Sequence, residues 1–457
     1  MKYLLKNGTV VSGDLSVRED VLIDGETIVK TGQNLEEEDA QVIDVSGKLL
    51  FPGFIDGHTH FDLNVAGTVT ADDFETGTKA AIAGGTTLVI DYASQDKGGH
   101  TLKEGLEKWH KKADGKCSCD YSFHMSIVEW NEETEKEIQD MIDEGITSFK
   151  LYMTYPAMIV NDCDLYKIIK KLNDYGCFAG VHCENAGAID ALIAEAKKEG
   201  RFGPENHPLV RPDIMEAEAV HRLLVIADAA DAPVMIVHLT NQKAFEEVMR
   251  ARMNGQKVYA ETCPQYLLLD DSVYSRPDFE GAKYVCAPPI RKKADQDCLW
   301  KALANGEIQT VATDQCSFTM EQKALGKEDF TKIPGGLPGV QTRGTLLYTY
   351  GVRTGKITQE QMCRLLSENA AKLYGVYPQK GVIREGSDAD IVVFDPEKES
   401  VISAKTHLYH TDNNPYEGFK LHGDIDRVFL RGMPVVKDGK VVLEKAGKYI
   451  KRGKKQL

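Results

Sequence analysis

Two histidines one residue apart, His58 and His60, directly follow an apolar segment, in the sequence GFIDGHTH at residues 53–60. Because side chains alternate along a strand, both imidazoles are expected on the same face of a strand end. Neutral imidazole is the commonest metal ligand among side chains. The pair therefore predicts half of a metal site, whose remaining ligands must come from elsewhere in the chain.

Further polar side chains that can bind metal ions end later apolar stretches: Lys150, His182, His238 and Asp314. Taken singly, each has an ordinary alternative, such as a hydrogen-bonded core histidine, a solvated lysine or an aspartate that caps a helix. Together with the histidine pair, they supply four imidazoles and one carboxylate, enough for two divalent ions that share a bridging anion. A lysine amine desolvated beside two cations can lose its proton and add carbon dioxide, and the carbamate then offers two oxygen ligands.

The elements that must position these residues alternate between short apolar strands and amphipathic helices. The predicted strands are 87–92, 121–128, 148–153, 177–182, 234–238, 257–261 and 308–313. The predicted helices include 132–144, 165–175, 215–229 and 242–254. Roughly eight such units predict an α/β fold, a (β/α)8 TIM barrel, whose functional residues lie at the carboxyl ends of the strands. An open doubly wound sheet is the alternative, but no GxGxxG sequence follows the first strand.

Both ends of the chain are predicted to form short strands. Asn7-Gly8 and Asp24-Gly25 lie between apolar stretches and indicate hairpin turns, and strands are also predicted at 388–395, 428–432 and 435–442. Neither terminal piece is large enough to bury a sheet alone, so we expect one discontinuous β-sandwich domain. The predicted bounds are 1–52 and 375–440 for this domain, 53–374 for the barrel and 441–457 for a C-terminal tail. The basic residues 448–457 are expected to be extended, either solvated or in contact with another subunit.

The composition excludes several classes of protein. The 457 residues carry a formal charge of −15, which argues against a nucleic-acid partner because such proteins present basic patches. No apolar run has the length of a membrane span, and the first residues lack a signal-peptide core. The ten cysteines show no zinc-binding spacing, so we expect free thiols in a cytoplasmic protein.

Longer motifs around these residues resemble the amidohydrolase superfamily, and most closely its cyclic amidohydrolases, the hydantoinases and dihydropyrimidinases. The order His-x-His, Lys, His, His, Asp is that of the superfamily's metal ligands. The segments that carry the closer resemblance are GTVTADDF (67–74), ETCPQY (261–266), RPDFEG (276–281), DQCSF (314–318) and GSDAD (386–390). The resemblance covers nearly the whole chain, and the motifs are long and specific.

The resemblance implies a site with two divalent metal ions, expected to be Zn²⁺. It also implies that carbon dioxide adds to Lys150, and that this N6-carboxylated lysine and a hydroxide bridge the two ions. The implied ligands are His58, His60 and Asp314 for one ion and His182 and His238 for the other.

The resemblance implies that one residue transfers protons during the reaction and that another stabilises the negative charge of the intermediate. Asp314 would take the proton of the attacking water and later deliver one to the leaving amide nitrogen. Tyr155, five residues beyond Lys150, corresponds to the family tyrosine that donates a hydrogen bond to the tetrahedral oxyanion. Without the resemblance, Tyr155 would be interpreted as a rim aromatic next to Pro156.

The two loops that hold the substrate ring in this family, largely through backbone groups, depart here from its usual sequence. Ala287, after Cys286, replaces a serine before a Pro-Pro pair, and Gly335 replaces an asparagine after Ile-Pro. Both changes keep the backbone donors and acceptors, and both resemble allantoinases. The group at the 5-position of the ring is expected to meet an apolar wall formed by Leu63, Val65, Tyr152 and Ile159.

The leading prediction is a metal-dependent hydrolase that opens 5-substituted hydantoins or dihydropyrimidines to N-carbamoyl amino acids. Allantoinase, with the same chemistry on allantoin, is the alternative. An inactive dihydropyrimidinase-related scaffold is disfavoured because every ligand position is filled. A dihydroorotase would need a basic residue for the substrate carboxylate, which the ring-binding loops do not clearly offer. The predicted partners are a small cyclic ureide or imide and further copies of the chain in a tetramer, with no nucleic acid or membrane.

Overall fold

The computed structural model describes all 457 residues, and strands alternate with helices through its middle. The strands are β1 (Lys2–Val11), β2 (Ser16–Asp24), β3 (Thr27–Gly32), β4 (Gln41–Asp44), β5 (Leu49–Pro52), β6 (Phe54–Thr59), β7 (Asn64–Val65), β8 (Thr68–Val69), β9 (Thr86–Ser94), β10 (Asp120–Ser126), β11 (Ser148–Tyr152), β12 (Phe178–His182), β13 (Val234–Ile236), β14 (Val258–Thr262), β15 (Thr310–Val311), β16 (Ile391–Val401), β17 (Lys420–Leu430), β18 (Met433–Lys437) and β19 (Lys440–Val441). The helices are α1 (Phe74–Ala83), α2 (Leu102–Ala113), α3 (Glu132–Asp143), α4 (Asp162–Asp174), α5 (Ala186–Lys198), α6 (His207–Val210), α7 (Asp213–Ala229), α8 (Gln242–Met253), α9 (Pro264–Leu268), α10 (Lys293–Ala304), α11 (Met320–Lys323), α12 (Arg343–Leu347), α13 (Gln359–Cys363) and α14 (Asn369–Leu373). None of these helices combines the length and apolar character that a membrane crossing requires.

Eight parallel strands form the predicted barrel, in the order β6, β9, β10, β11, β12, β13, β14 and β15. The segment that follows the eighth strand, β15, pairs through its backbone with the first strand, β6. Gln315 N–H donates to His58 O (3.3 Å), and His60 N–H donates to Gln315 O (2.8 Å). Arg343, with no exposed surface, donates to Ile55 O on β6 (2.8 Å) and to Val311 O on β15 (3.0 Å). These bonds close the cylinder, so the open doubly wound alternative is wrong.

Asparagine caps explain where several helices start after a barrel strand. Asn131, Asn161, Asn185 and Asn241 precede α3, α4, α5 and α8, and each side chain accepts a hydrogen bond from a backbone N–H of the first turn. Such caps satisfy donors that the helix itself leaves unpaired. The chain therefore turns into a helix soon after each strand end, which leaves those ends at one open mouth.

The two terminal segments form one mostly antiparallel sheet, which agrees with the prediction of one discontinuous domain. Its strands follow the order β19, β18, β17, β16, β5, β1, β2 and β3, with β4 paired to β1. The N-terminal strand β5 pairs with the C-terminal strand β16, with Phe51 opposite Val392. The bounds proposed for the domains stay a prediction.

The hairpin predicted at Asn7-Gly8 is wrong. Strand β1 runs through this dipeptide, and its pairing with β2 shifts register between Leu5 and Gly8, as a β-bulge does. Asn7 takes a φ of 69°, and its N–H donates to the Asp20 carboxylate (2.8 Å). The dipeptide therefore forms a bulge with one extra residue inside the strand. A turn does not form there because β1 is paired with β2 on one side and with β4 and β5 on the other. The Asp24-Gly25 turn does join β2 to β3 as predicted.

The C-terminal tail is extended, but it packs against the barrel of its own chain and is not simply solvated. Ile450 N–H donates to Tyr121 O at the start of β10 (2.8 Å). Arg452 is buried (4% exposed), and its guanidinium donates to Ser122 Oγ (2.9 Å), Ser148 Oγ (2.8 Å) and Phe123 O. The tail therefore covers the end of the barrel opposite the mouth, because these residues lie at the beginnings of β10 and β11.

Replacing Arg452 by alanine is expected to lower the free energy of unfolding by about 3 kcal/mol, because buried acceptors on two strands lose their donor. Urea denaturation followed by circular dichroism measures the change. Lys454→Ala, at an exposed position of the same tail, is the matched control and should be neutral. Equal stability of the two variants would contradict this role of the tail.

Candidate active site

The structure brings the six predicted ligands together at the mouth of the barrel. Lys150 lies on β11 and His182 ends β12, whereas His60, His238 and Asp314 lie just beyond β6, β13 and β15. Ligand atoms of His58, His238 and Asp314 all lie within 4.8 Å of one another. Segments far apart in sequence converge here because the carboxyl ends of parallel barrel strands share one rim.

Two glutamates orient two of the imidazoles. Glu261 Oε1 lies 2.7 Å from His58 Nδ1, and both side chains are fully buried. Glu184 Oε2 lies 2.8 Å from His182 Nε2. We assign the hydrogen of each ring to the nitrogen that faces the glutamate, because a carboxylate oxygen at this distance accepts a hydrogen bond. The other ring nitrogen then keeps a free lone pair. This is the usual outer arrangement of metal-binding histidines.

Neither glutamate was predicted as a site residue, although one signal was available for each. Glu261 stands near the end of strand β14, and so satisfies the strand-end criterion that pointed to the ligands. Glu184 follows His182 by two residues and accepts a second bond from Arg211 Nη1 (2.7 Å). Burial opposes ionisation, but Arg211 and His182 hold the pKa of Glu184 well below its usual range.

The remaining imidazoles also face the shared centre. His60 Nε2 lies 3.1 Å from Asp314 Oδ1, and His58 Nε2 lies 3.3 Å from the same oxygen. His238 adopts a φ of 39°, and its ring centroid is 4.5 Å from that of His182. The buried Nδ1 of His238 has no hydrogen-bond partner. A residue held in the left-handed region at a strand end is consistent with a functional constraint.

Lys150 completes the cluster without an ion pair. Its side chain is 1% exposed, and Nζ lies 3.4 Å from His58 Nε2. Nζ also lies 4.8 Å from the ring centroid of Tyr92. Burial lowers the pKa of Lys150, because a charged amine loses the water that would solvate it.

This donor set fits divalent metal ions. Burial, followed by the nearby Lys150, lowers the pKa of His58 well below its usual range, and burial also lowers the pKa of His182 and His238. Neutral imidazoles with free lone pairs, one carboxylate and glutamates behind the rings are what zinc and similar ions require. The unpartnered buried nitrogen of His238 supports this fit. The individual ligand assignments stay a prediction.

Tyr155 lies against this cluster at the cavity wall. Its φ is 67°, which is rare for an aromatic residue, and its ring centroid is 5.1 Å from that of His182. Burial raises the pKa of the phenol, so the hydroxyl keeps its proton and can donate it in a hydrogen bond. Its role as the donor to an oxyanion stays a prediction.

A cavity of about 980 Å³ opens above the cluster. The residues that line it include Leu63, Val65, Tyr152, Tyr155, Ala287 and Gly335. Two predicted residues are not among those that line it. Cys286 directs its Sγ toward Pro288 O (3.5 Å), and the Ile159 carbonyl accepts from Lys97 Nζ (3.4 Å).

Charged residues that the sequence did not single out also line the cavity, among them Arg211. Its guanidinium carbon lies 5.8 Å from the ring centroid of Tyr155. The charge of Arg211 is already paired with Glu184. Arg211 is therefore better suited to hold the side chains of Glu184 and Tyr155 in position than to bind a substrate carboxylate.

Comparison with known proteins gives a consistent result along the whole chain. Residues 49–442 match the amidohydrolase family. A D-hydantoinase of Geobacillus stearothermophilus is 45% identical over 99% of this chain and 97% of its own length. A dihydropyrimidinase of Dictyostelium discoideum is 40% identical over 98% of this chain and 90% of its own length. The crystal structure of dihydropyrimidinase from Brevibacillus agri, 45% identical, has a TM-score of 0.98 and covers 100% of this chain and 99% of its own.

Replacing Glu261 by glutamine is expected to weaken metal binding by about 10- to 100-fold, because the amide keeps the shape but loses the charge that makes His58 a better ligand. Metal content after dialysis against graded chelator concentrations measures the effect. Glu321→Gln, at an exposed position, serves as the control. Unchanged metal retention in the Glu261 variant would remove this residue from the site.

Proposed function

The chain belongs to the amidohydrolase family, and we propose that it opens 5-substituted hydantoins or dihydropyrimidines to N-carbamoyl amino acids. It is a cyclic-amide hydrolase, in keeping with relatives 40–45% identical over nearly their full length. The observation that carries the substrate proposal is the convergence of the predicted ligands and Tyr155 at the base of one cavity. The relatives named above favour this substrate class over allantoin.

The family implies dependence on divalent metal ions, and we propose two Zn²⁺ ions. His58, His60 and Asp314 would hold one ion and His182 and His238 the other. When bound, the ions make water a strong nucleophile near neutral pH and polarise the substrate carbonyl. Lys150 would bridge them as its N6-carboxylate: the neutral amine adds carbon dioxide, a C–N bond forms and one proton leaves. Burial of Lys150 beside His58 supports this modification.

The chain's own residues would move the protons and hold the charge of the reaction. As water adds to the ring carbonyl carbon, Asp314 accepts its proton. The carbonyl oxygen becomes an oxyanion, which receives a hydrogen bond from the Tyr155 hydroxyl. The ring C–N bond then breaks as Asp314 returns the proton to the leaving nitrogen. Asp314 is suited to both transfers because it lies beside His58 and His60 at the cavity base.

The cavity supports a preference for substituted rings. Leu63, Val65 and Tyr152 offer apolar surface, and each buried methylene of a substituent contributes about 0.8 kcal/mol. At Gly335, a Cβ atom would have no neighbour closer than 3.8 Å, so the absence of the family asparagine leaves free space. We propose the D-enantiomer as substrate, by analogy with the D-hydantoinase relative.

We also propose a homotetramer, by family resemblance, and a cytoplasmic location. Ten free cysteines support a reducing compartment. Size-exclusion chromatography with light scattering measures the assembly: four copies support the proposal, and a monomer contradicts it.

Purified protein with restored metal is expected to open D-5-phenylhydantoin and dihydrouracil faster than allantoin. Release of the N-carbamoyl product, followed by chromatography, gives kcat/KM for each ring. The L-enantiomer of the hydantoin is the stereochemical control. Ring opening confined to allantoin would replace this proposal with allantoinase, and no opening of any ring would reject both.

Replacing Lys150 by alanine is expected to lower kcat by roughly 10³-fold or more, because several kcal/mol of charge stabilisation depend on the bridged ions. Added acetate or propionate should restore part of the activity by supplying the missing carboxylate. Lys167→Ala, exposed on α4, is the control. Full activity of the Lys150 variant would contradict the carbamate.

Replacing Tyr155 by phenylalanine is expected to lower kcat by about 10²- to 10³-fold with little change in KM, because the lost donor acts on the oxyanion and not on the bound substrate. Tyr166→Phe removes a hydroxyl on α4, away from the site, and should have no effect. A rise in KM with unchanged kcat would instead assign Tyr155 to substrate binding.

A further inference from the structure

The one-turn helix α11 follows β15 and Asp314, and its last residue has an unusual environment. Lys323 has no exposed surface, and no ion pair involves it. Its Nζ donates to three backbone carbonyls: Val285 O (2.9 Å), Pro334 O (2.7 Å) and Gly336 O (2.9 Å). An ammonium group has three N–H donors, and all three are used here on main-chain oxygens.

These three carbonyls belong to two loops that line the cavity. Val285, Ala287, Gly335 and Gly336 all line it. Gly336 N–H also donates to Val285 O (2.9 Å), so the two loops touch where Lys323 joins them. Burial lowers the pKa of Lys323 to about 7, because a buried ammonium group loses its solvating water. The hydrogen bonds to the three carbonyls offset part of this cost and fix the spacing between the two backbone segments.

The neighbouring residue in the same helix reaches a third part of the cavity wall. Gln322 Nε2 donates to Thr68 Oγ1 (2.8 Å) and to Val69 O (2.6 Å). Both acceptors lie in β8, the second strand of the β7–β8 hairpin, whose residues 64–69 line the cavity. The Gln322 Oε1 atom accepts from Thr319 N–H (2.9 Å), so this side chain is held at both ends.

We propose that α11 is the positioning element of the substrate cavity. Lys323 sets the spacing of the two loops that meet the substrate ring, and Gln322 sets the hairpin that meets its 5-substituent. This assignment deepens the proposed function and rests on it for the identity of the substrate. It also accounts for ring binding with alanine at 287 and glycine at 335, because Lys323 holds the main chain whatever side chains those positions carry.

The two side chains therefore have separable effects on KM. Lys323→Met keeps the length of the arm but removes its donors, and KM should rise about tenfold for hydantoin with and without a 5-phenyl group. Gln322→Glu keeps the acceptor for Thr319 N–H but removes both donors to the hairpin. Its KM should rise severalfold for 5-phenylhydantoin only. Lys327→Met, exposed just beyond α11, is the matched control.

Hydrogen exchange provides a readout that does not depend on activity. Amides of residues 285–291 and 333–337 should exchange faster in Lys323→Met, and those of residues 64–69 faster in Gln322→Glu, while the rest of the barrel is unchanged. If Lys323→Met does not fold, Lys323→Gln, which retains two donors, is measured in its place. Uniformly faster exchange, or equal KM changes for both rings in both variants, would overturn the proposal.

The exchange experiment separates this inference from the proposed function. A wild-type protein that opens none of the rings would reject the substrate class, yet the local exchange pattern would still support α11 as the element that holds the cavity wall. Active wild-type enzyme with unchanged loop exchange in the variants would reject the positioning role alone.

Discussion

The backbone bonds that close the barrel are the constraint on which the site depends. They join His58 and His60 to Gln315, so two predicted ligands and the neighbour of a third lie on the closing seam. Asp314 is thereby brought to 3.1 Å from His60 and 3.3 Å from His58. A shift of the strand register at this seam by one residue would turn these side chains to the opposite face of the sheet. The register that closes the barrel therefore also places the ligands.

Burial of the imidazoles and of Lys150 gives the cluster its chemistry. Imidazoles removed from water beside Lys150 have lowered pKa values and remain neutral, with lone pairs free for cations. Glu261 and Glu184 lie against the rings and fix the tautomer of His58 and His182. Arg211 and His182 keep the pKa of Glu184 low, whereas burial raises the pKa of Glu261 to about 8. Removing these side chains from water therefore keeps the imidazoles neutral, and neutral imidazoles can bind divalent ions.

The cavity above the cluster is lined by segments of two kinds. Apolar side chains, Leu63 and Val65 among them, come from the segment after β6, whereas Ala287 and Gly335 carry little or no side chain. Main-chain groups recognise a planar amide ring well only if their spacing is fixed. In the arrangement proposed above, the hydrogen bonds of Lys323 and Gln322 hold these segments through one short helix and set their spacing.

Periodicity along the sequence determined most of the fold, because alternating strands and helices leave few topologies and a strand end identifies one rim of a barrel. Local signals were wrong where long-range pairing outweighed them. Asn7-Gly8 became a bulge because β1 is held extended from both sides, and the basic tail packs because Arg452 finds buried acceptors on two strands.

The sequence by itself therefore predicted the kinds of ligand and their order from residue type and strand position, and its resemblance to the cyclic amidohydrolases indicated the class of reaction. Only the tertiary structure decided which groups support them. The contacts of Glu261 with His58, of Arg452 with Ser148 and of Lys323 with three carbonyls join residues between 11 and 304 positions apart. No local pattern encodes such partners, because each depends on how the closed barrel brings its loops together.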